Sequence, residues 1–190
     1  MTAEPSRSRR RRPGSHDPTA TPTEPHLTLP EPLTAEHDTA DFDCGAPALN
    51  EYLAARALGD QRAEKSRTYV ARRAGSVVAY FSLAAGVVQP AAATRRLAQG
   101  QGRQLIPVIL LARLAVDRAE QGRGLGETML LEALTRAVAA ADVIGARAVL
   151  VHAMDERARA FYQKYGFQTS PTDPLHLVLL LKDIRRTLGL

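Results

Sequence analysis

At 190 residues the chain has the length of one domain with a tail, and its 45% hydrophobic content is enough for an adequate core. No apolar run approaches the ~18 residues of a transmembrane span. The first thirty residues lack the apolar stretch of a signal peptide, and the lone Cys44 excludes an internal disulfide framework, so the expected setting is a reducing cytoplasm. The net charge of +5 rests almost wholly on arginine. Five arginines against Glu4, Asp17 and Glu24 put +2 in the first 25 residues and leave +3 for the rest, a mild bias that suits a polyanionic partner or an ordinary GC-rich genome.

Residues 1–25 are rich in Arg, Pro, Ser and Thr and poor in core formers, and they are expected to form a disordered tail. The Arg9–Arg12 run within it suits nucleic acid, but a solvated segment is the blander reading. From His26 a single domain is expected to run to residue 190. "HLTL" reads as a first short strand. "FDCGAPALNEYLAARALGDQRAE" has a turn at Cys44–Gly45, Pro47 near a helix start, and Leu49, Tyr52, Leu53 and Ala57 at helical spacing. "RTYVARR" and "SVVAYFSLAAGVV" flank Ala74–Gly75 as an antiparallel hairpin. Residues 90–104 are polar, with a short helix between Pro90 and Gly100. "IPVILLARLAV" is the longest buried-strand pattern. A glycine turn follows, then a helix to about Asp142, the strand "ARAVLVHA", a short helix "DERARAFYQKYG", the strand "LHLVLLL" and a basic C-terminal turn. Hairpins first and strand–helix alternation later predict a mixed α/β sheet.

The chemistry concentrates at "VDRAEQGRGLGETM", where Gly122, Gly124 and Gly126 stand between a strand and a helix. A Walker loop needs Gly-Lys-Ser/Thr, which is absent. A dinucleotide fingerprint from Gly122 needs its third glycine at the position Glu127 occupies. The remaining ligand reading is Gln-x-x-Gly-x-Gly, in which bare backbone N–H groups and a helix N-terminus grip a pyrophosphate. A close strand-to-helix turn without a ligand fits the same residues. Five histidines lack metal-ligand spacing, so no metal site is expected; nine aromatics without Trp argue against a base-stacking surface.

Downstream stands "DERARAFYQKYGF". The two motifs together resemble the GNAT superfamily of N-acetyltransferases, whose Gln/Arg-x-x-Gly-x-Gly/Ala loop precedes an Asn-x-x-Ala-x-x-Phe-Tyr-x-x-x-Gly-Phe segment. The chain matches that segment at Ala158, Phe161, Tyr162, Gly166 and Phe167 and departs at Asp155, where the family has Asn. The resemblance implies the GNAT fold, a mixed, mostly antiparallel sheet with a central splayed strand pair flanked by helices. It also implies acetyl-CoA as acetyl donor. The implied cofactor-binding set is Leu114, Ala115 and Val116 through a bulged strand, Gln121, Gly122, Arg123, Gly124, Leu125, Gly126 and Glu127 in the loop, and Asp155 and Phe161 downstream. For Phe161, plain helix packing is the competing account. A narrower resemblance spans residues 30–183. "FDCGAPALNEYL", "SRTYVA", "LARLAVDRAEQGRGLG", "RAVLVHA" and "ARAFYQKYGF" are similar to acetyltransferase toxins of toxin–antitoxin pairs. Those enzymes acetylate the α-amine of aminoacyl-tRNA, block translation and are held by a ribbon-helix-helix antitoxin; a homodimer is common among them.

The implied reaction is direct transfer from a thioester to an amine. A backbone N–H aimed at the developing oxyanion is worth about a hundredfold or more. Tyr162 occupies the family position of the general acid, and a phenol with a pKa of about 10 holds its proton at neutral pH. No carboxylate base is evident in the sequence. An α-amine with a pKa of about 7.7–8.0 needs less help than a lysine near 10.4. Arg113 interrupts the apolar strand, as one half of a salt bridge or as a contact for the acceptor end of tRNA. Arg95, Arg96 and Arg103 are candidates for a tRNA path, beside the simpler reading as solvated charges. Rival functions are acetylation of a small amine or a protein N-terminus, and a GNAT-like module that binds the cofactor without turnover.

Overall fold

Ala74 and Gly75 take left-handed φ values of 51° and 91°, and the strands on either side of them close there into a hairpin, β2 (Arg67–Arg73) with β3 (Ser76–Val88). The structure is a computed structural model that describes residues 26–189. The tail expected over residues 1–25, with its Arg9–Arg12 run, lies outside the described residues.

The hairpin belongs to a seven-stranded sheet. Its order is β1 (Glu31–Pro32), β2, β3, β4 (Ile106–Val116), β5 (Ala148–His152), β7 (His176–Leu180) and β6 (Gln168–Thr169). All neighbours are antiparallel except β4 and β5. The "HLTL" segment contributes only an isolated bridge, Leu27 to Arg73; the first strand lies further on, with Pro32 tolerated because it sits on an edge.

Helix α1 (Pro47–Glu51) runs through a π-helical turn at Tyr52–Arg56 into α2 (Ala57–Arg62). The short α3 (Arg95–Ala98) is capped by the Thr94 hydroxyl. The long α4 (Leu125–Ile144) leads to β5, and α5 (Glu156–Lys164) leads to β6. The C-terminal segment expected as a basic turn is a helix, α6 (Leu181–Leu188), because Leu181 and Ile184 reach the core while Arg185 and Arg186 stay outward.

The sheet has two dressed faces. Alternation along the strands sends Phe81, Leu111, Val149 and Val151 to a first face, where α4 covers them with Met129, Leu130, Ala133, Ala137 and Ala141 at helical spacing. Val70, Tyr80 and Ala115 point to the second face and meet Tyr52, Leu53 and Ala57 of the first helical segment. Further along that face Leu97 packs on Ile106, Leu150 and Val178.

Two departures from regular pairing shape the centre. The β3–β4 register slips between Ser82 and Leu83, so Ala112 is the extra residue of a bulge between Leu111 and Arg113. The β4–β5 pairing ends at Leu111–Val151, so β4 continues from Ala112 to Val116 with no β5 partner along that edge. The two parallel strands therefore fork, as the sequence reading expected of this fold.

Candidate active site

The fork opens into a cavity of about 500 Å³. One wall is the free end of β4, with Leu114, Ala115 and Val116; another is the turn at Cys44–Ala46 with Leu49. Gln121, Gly122, Gly124, Gly126 and Glu127 form the floor where α4 begins, and Asp155, Phe161 and Tyr162 close it from α5. Because Leu114 and Val116 pack toward the first face and Ala115 toward the second, the cavity runs through the sheet rather than lying on one side of it.

The glycine loop is built for close approach. Gly122 and Gly124 hold φ of 79° and 83°, and a Cβ added to either would meet no protein atom within 4 Å. Bare backbone therefore borders open space. Gly124 caps α4, and its carbonyl accepts from the Glu127 and Thr128 amides. The amides of Leu125 and Gly126 keep no protein acceptor among the described residues, as the geometry of a helix start requires. Together with the positive end of a twenty-residue helix they suit a phosphate group. Gly126 plays a different part: a Cβ added there would sit 3.8–3.9 Å from Val116 and Phe161, in ordinary van der Waals contact, so this glycine marks where helix, strand and ring meet rather than a place that demands bare backbone.

The other expected residues divide by role. Gln121 lines the cavity, yet its amide is spent on the carbonyls of Cys44 and Val116, at 3.0 and 2.9 Å. Glu127 is held by the Tyr165 hydroxyl at 2.8 Å. Asp155, the departure from the family's asparagine, caps α5 by accepting from the Ala158 amide at 2.7 Å through one carboxylate oxygen. Phe161 stands edge-on to Tyr162 and Tyr165 and lines the cavity too, so packing and lining are both true of it. Arg123 and Leu125 do not line the cavity: Leu125 is buried in the core and Arg123 lies 3.8 Å from Glu120. Glu120 is itself buried and paired with Arg73 at 2.7 Å, which fixes the loop's approach from the hairpin.

Tyr162 is buried at 7% exposure with its ring against Phe161 and Phe167, and it still lines the cavity. Its hydroxyl makes no hydrogen bond within the described residues. Burial pushes the phenol well above its ordinary value, so it stays protonated through the neutral range. The ring is buried while the hydroxyl keeps access to the cavity, where a ligand or water can accept its proton.

The four candidate substrate arginines are not brought together. Arg113 forms no salt bridge among the described residues; its guanidinium lies over the Tyr52 ring, 3.5 Å from the centroid, on the second face of the fork. That stacking offsets part of the cost of a half-buried cation. Arg96 pairs with Asp183 at 2.8 Å, while Arg95 and Arg103 are exposed. None of the four lines the cavity.

Sequence reasoning missed Cys44, Ala46, Leu49, Met154, Arg157, Lys164 and Tyr165 as lining residues. The Asp43–Asn50 turn is the clearest omission. Asp43 accepts from the Gly45 amide and the Asn50 side chain, and the Asp43 amide donates to Asp117 at 2.9 Å. The Cys44–Gly45 turn was legible in the sequence, but the meeting of Asp43, Asn50 and Asp117 that holds it was not. Among the described residues no group of three or more His, Cys, Asp or Glu is arranged to hold a metal, and no helix is long and apolar enough to cross a membrane.

Residues 64–169 match the acetyltransferase (GNAT) domain family. The chain is 49% identical to a tRNA-acetylating toxin of Mycobacterium tuberculosis (strain ATCC 25618 / H37Rv), over 85% of this chain and 97% of that protein. It is similar to the structure of AtaT complexed with acetyl-methionyl-tRNAfMet, with a TM-score of 0.79 and 30% identity, covering 86% of this chain and 99% of the other. It is also similar to a tyrosine-to-phenylalanine mutant of the toxin AtaT bound to acetyl-CoA and the C-terminus of the antitoxin AtaR. There the TM-score is 0.74 and the identity 28%, over 87% and 99% of the two chains.

Proposed function

Because the chain belongs to the GNAT acetyltransferase family, we propose that it is the toxin of a toxin–antitoxin pair that transfers acetyl from acetyl-CoA to the α-amine of aminoacyl-tRNA and so blocks translation. The catalytic unit is residues 26–190, working in the cytoplasm. The observation that carries the reading is the position of Tyr162: an unpaired phenol, buried, at the cavity that the β4–β5 fork opens. The 49% identity to a tRNA-acetylating toxin supports the choice of acceptor.

The residues fit acetyl-CoA. Bare backbone at Gly122 and Gly124 and the amides of Leu125 and Gly126 would hold its phosphates, and the free edge of β4 at Leu114–Val116 would hold its arm. Bound there, acetyl-CoA supplies an acetyl group activated as a thioester. Gln121 braces the loop through two backbone carbonyls, and Asp155 sets the start of the helix that carries Tyr162. With acetyl-CoA bound, N–H groups on the free edge of β4 would stabilise negative charge on its acyl oxygen. Tyr162 holds a proton at its Oη and would be the group that protonates the thiolate as it leaves.

Arg113 and the exposed Arg95 and Arg103 serve as contacts for the RNA, whose polyanionic backbone needs cations outside the reacting centre. A small ribbon-helix-helix antitoxin is the partner that restrains the enzyme, and a homodimer is the assembly common among the toxins it resembles. Labelled acetyl-CoA added to a cell-free translation mix, followed by mass spectrometry of the charged tRNA, tests the reading. Acetylated aminoacyl-tRNA is expected. Label appearing only on small amines or protein N-termini would overturn it.

A further inference from the structure

β5 ends at His152, one residue beyond the Val151–Leu111 pair where it leaves β4. Along β5, Val149 and Val151 turn to the first face with α4 and Tyr162, while Leu150 turns to the second face with Leu97 and Val178. Alternation puts His152 on the second face, at the apex of the fork and across the sheet from the Tyr162 side. Its cross-strand neighbour is His176. The two rings stack with centroids 3.9 Å apart and planes 21° from parallel. His176 Nε2 lies 3.4 Å from Asp173 Oδ2.

The preceding pair in the same register on this face, Leu150 and Val178, is apolar and buried. At the fork the pattern changes to an exposed imidazole backed by a second imidazole and a carboxylate. The change falls where the two strands leave the buried core, and acyl transfer gives the exposed imidazole a use. The group that serves a departing sulfur must arrive protonated, and the group that serves an incoming amine must arrive without its proton. One side chain cannot be both at once, and the fork has Tyr162 on one face and His152 on the other.

Resting on the acyltransfer reading above, we propose that His152 is the general base of the reaction. Directly or through one water it takes the proton that the amine sheds as the C–N bond forms. The C–S bond breaks, and the sulfur takes the proton of Tyr162. Both side chains then exchange with solvent, His152 losing a proton and Tyr162 regaining one, so the balance closes without a further reactant. Burial and the charge of His176 hold the His152 imidazole below its ordinary value, with Asp173 pulling the other way. These are the ionisable groups that face it, from β7 and from the turn before β7. The ring is accordingly neutral and able to accept at neutral pH.

The test is the pH–rate profile for acetylation of purified aminoacyl-tRNA between about pH 5 and 9, for the parent, His152→Asn and His176→Gln. The parent should gain rate as pH rises through the imidazole inflection. His152→Asn should lose that inflection, keeping only the one due to the substrate α-amine near 7.7–8.0. Its kcat should fall on the order of 10²-fold, with acetyl-CoA affinity unchanged. His176→Gln removes a neighbour that disfavours the charged ring, so it should move the inflection to higher pH. A structural role for the pair would leave the inflection in place while changing thermal stability. His152→Asn with the parent profile, or an inflection indifferent to His176→Gln, overturns the proposal. Should His152→Asn fail a thermal melt, the His176→Gln shift decides alone. A parent enzyme that acetylates no aminoacyl-tRNA removes the functional reading instead.

Discussion

Gln121 donates its side-chain amide to the main-chain carbonyl of Cys44 at 3.0 Å, joining residues 77 positions apart in sequence. A second bond, to Val116 at 2.9 Å, completes the tie between the glycine loop, the end of β4 and the Asp43–Asn50 turn. Gln121→Ala removes both bonds at an exposed position and leaves two carbonyls open to water. Acetyl-CoA affinity should weaken by roughly 10-fold, from two bonds each worth about 0.5–1.5 kcal/mol, while the melting temperature changes little. Isothermal titration beside a thermal melt reads both.

Gly124 combines a left-handed backbone with an open neighbourhood. Gly124→Glu should abolish acetyl-CoA binding, since bulk and negative charge would occupy the space offered to phosphate. Gly124→Asn is the control: asparagine tolerates this backbone region, so strain is small and no charge is added. Partial binding by the Asn variant and none by the Glu variant is expected from calorimetry.

For Tyr162, the phenylalanine variant keeps the ring against Phe161 and Phe167 and removes only the hydroxyl. The turnover number should fall by roughly 10²–10⁴ while the acetyl-CoA dissociation constant is preserved. Because the hydroxyl has no protein partner, the variant should melt at or slightly above the parent temperature. In cells it should be expressed without arresting growth. A fully active variant would remove Tyr162 from catalysis.

Asp155 caps α5 with its carboxylate. Asp155→Ala should cost about 1 kcal/mol of stability, and Asp155→Asn almost nothing, because asparagine caps equally well. Denaturant unfolding of the two variants separates capping from any cofactor contact. If the alanine variant unfolds like the parent, the cap contributes nothing.

Arg96 divides from its neighbours on electrostatic grounds. Its hydrogen bonds and charge hold the Asp183 carboxyl below the ordinary carboxylate range, with Arg186 and Lys182 adding to the effect. A depressed carboxylate stabilises the fold above its unfolded-state pKa, and that stability is lost as pH falls through the folded value. Arg96→Gln should therefore lower the melting temperature at neutral pH, and the gap to the parent should close below about pH 4. Charge reversal at the exposed Arg95 and Arg103 should leave the melt unchanged and raise the KM for aminoacyl-tRNA in a salt-dependent way.

Local pattern carried much of this molecule. Apolar runs bounded by polar or turn residues set β2, β3 and β4 to the residue, and the Ala74–Gly75 turn between the first two marked their hairpin. The three glycines before α4 marked where backbone must be bare, and the "FYQKYGF" segment placed Tyr162 on the helix that faces them. These signals are legible because strand, turn and helix start depend on residues within one or two turns of each other.

What the sequence left open depends on partners far along the chain. The fork between Leu111 and Val151 arises from a register slip against β3 and from where β5 ends, and neither has a local signature. Arg113 read as a salt-bridge candidate until Tyr52, on a helix over sixty residues earlier, supplied a ring instead of a carboxylate. Arg96 read as a surface charge until α6 brought Asp183 against it. His152 and His176 looked scattered because twenty-three residues separate them; antiparallel register stacked them beside the apex of the fork. Hydrophobic periodicity decides which face a side chain takes, but only the tertiary pairing decides what it meets there.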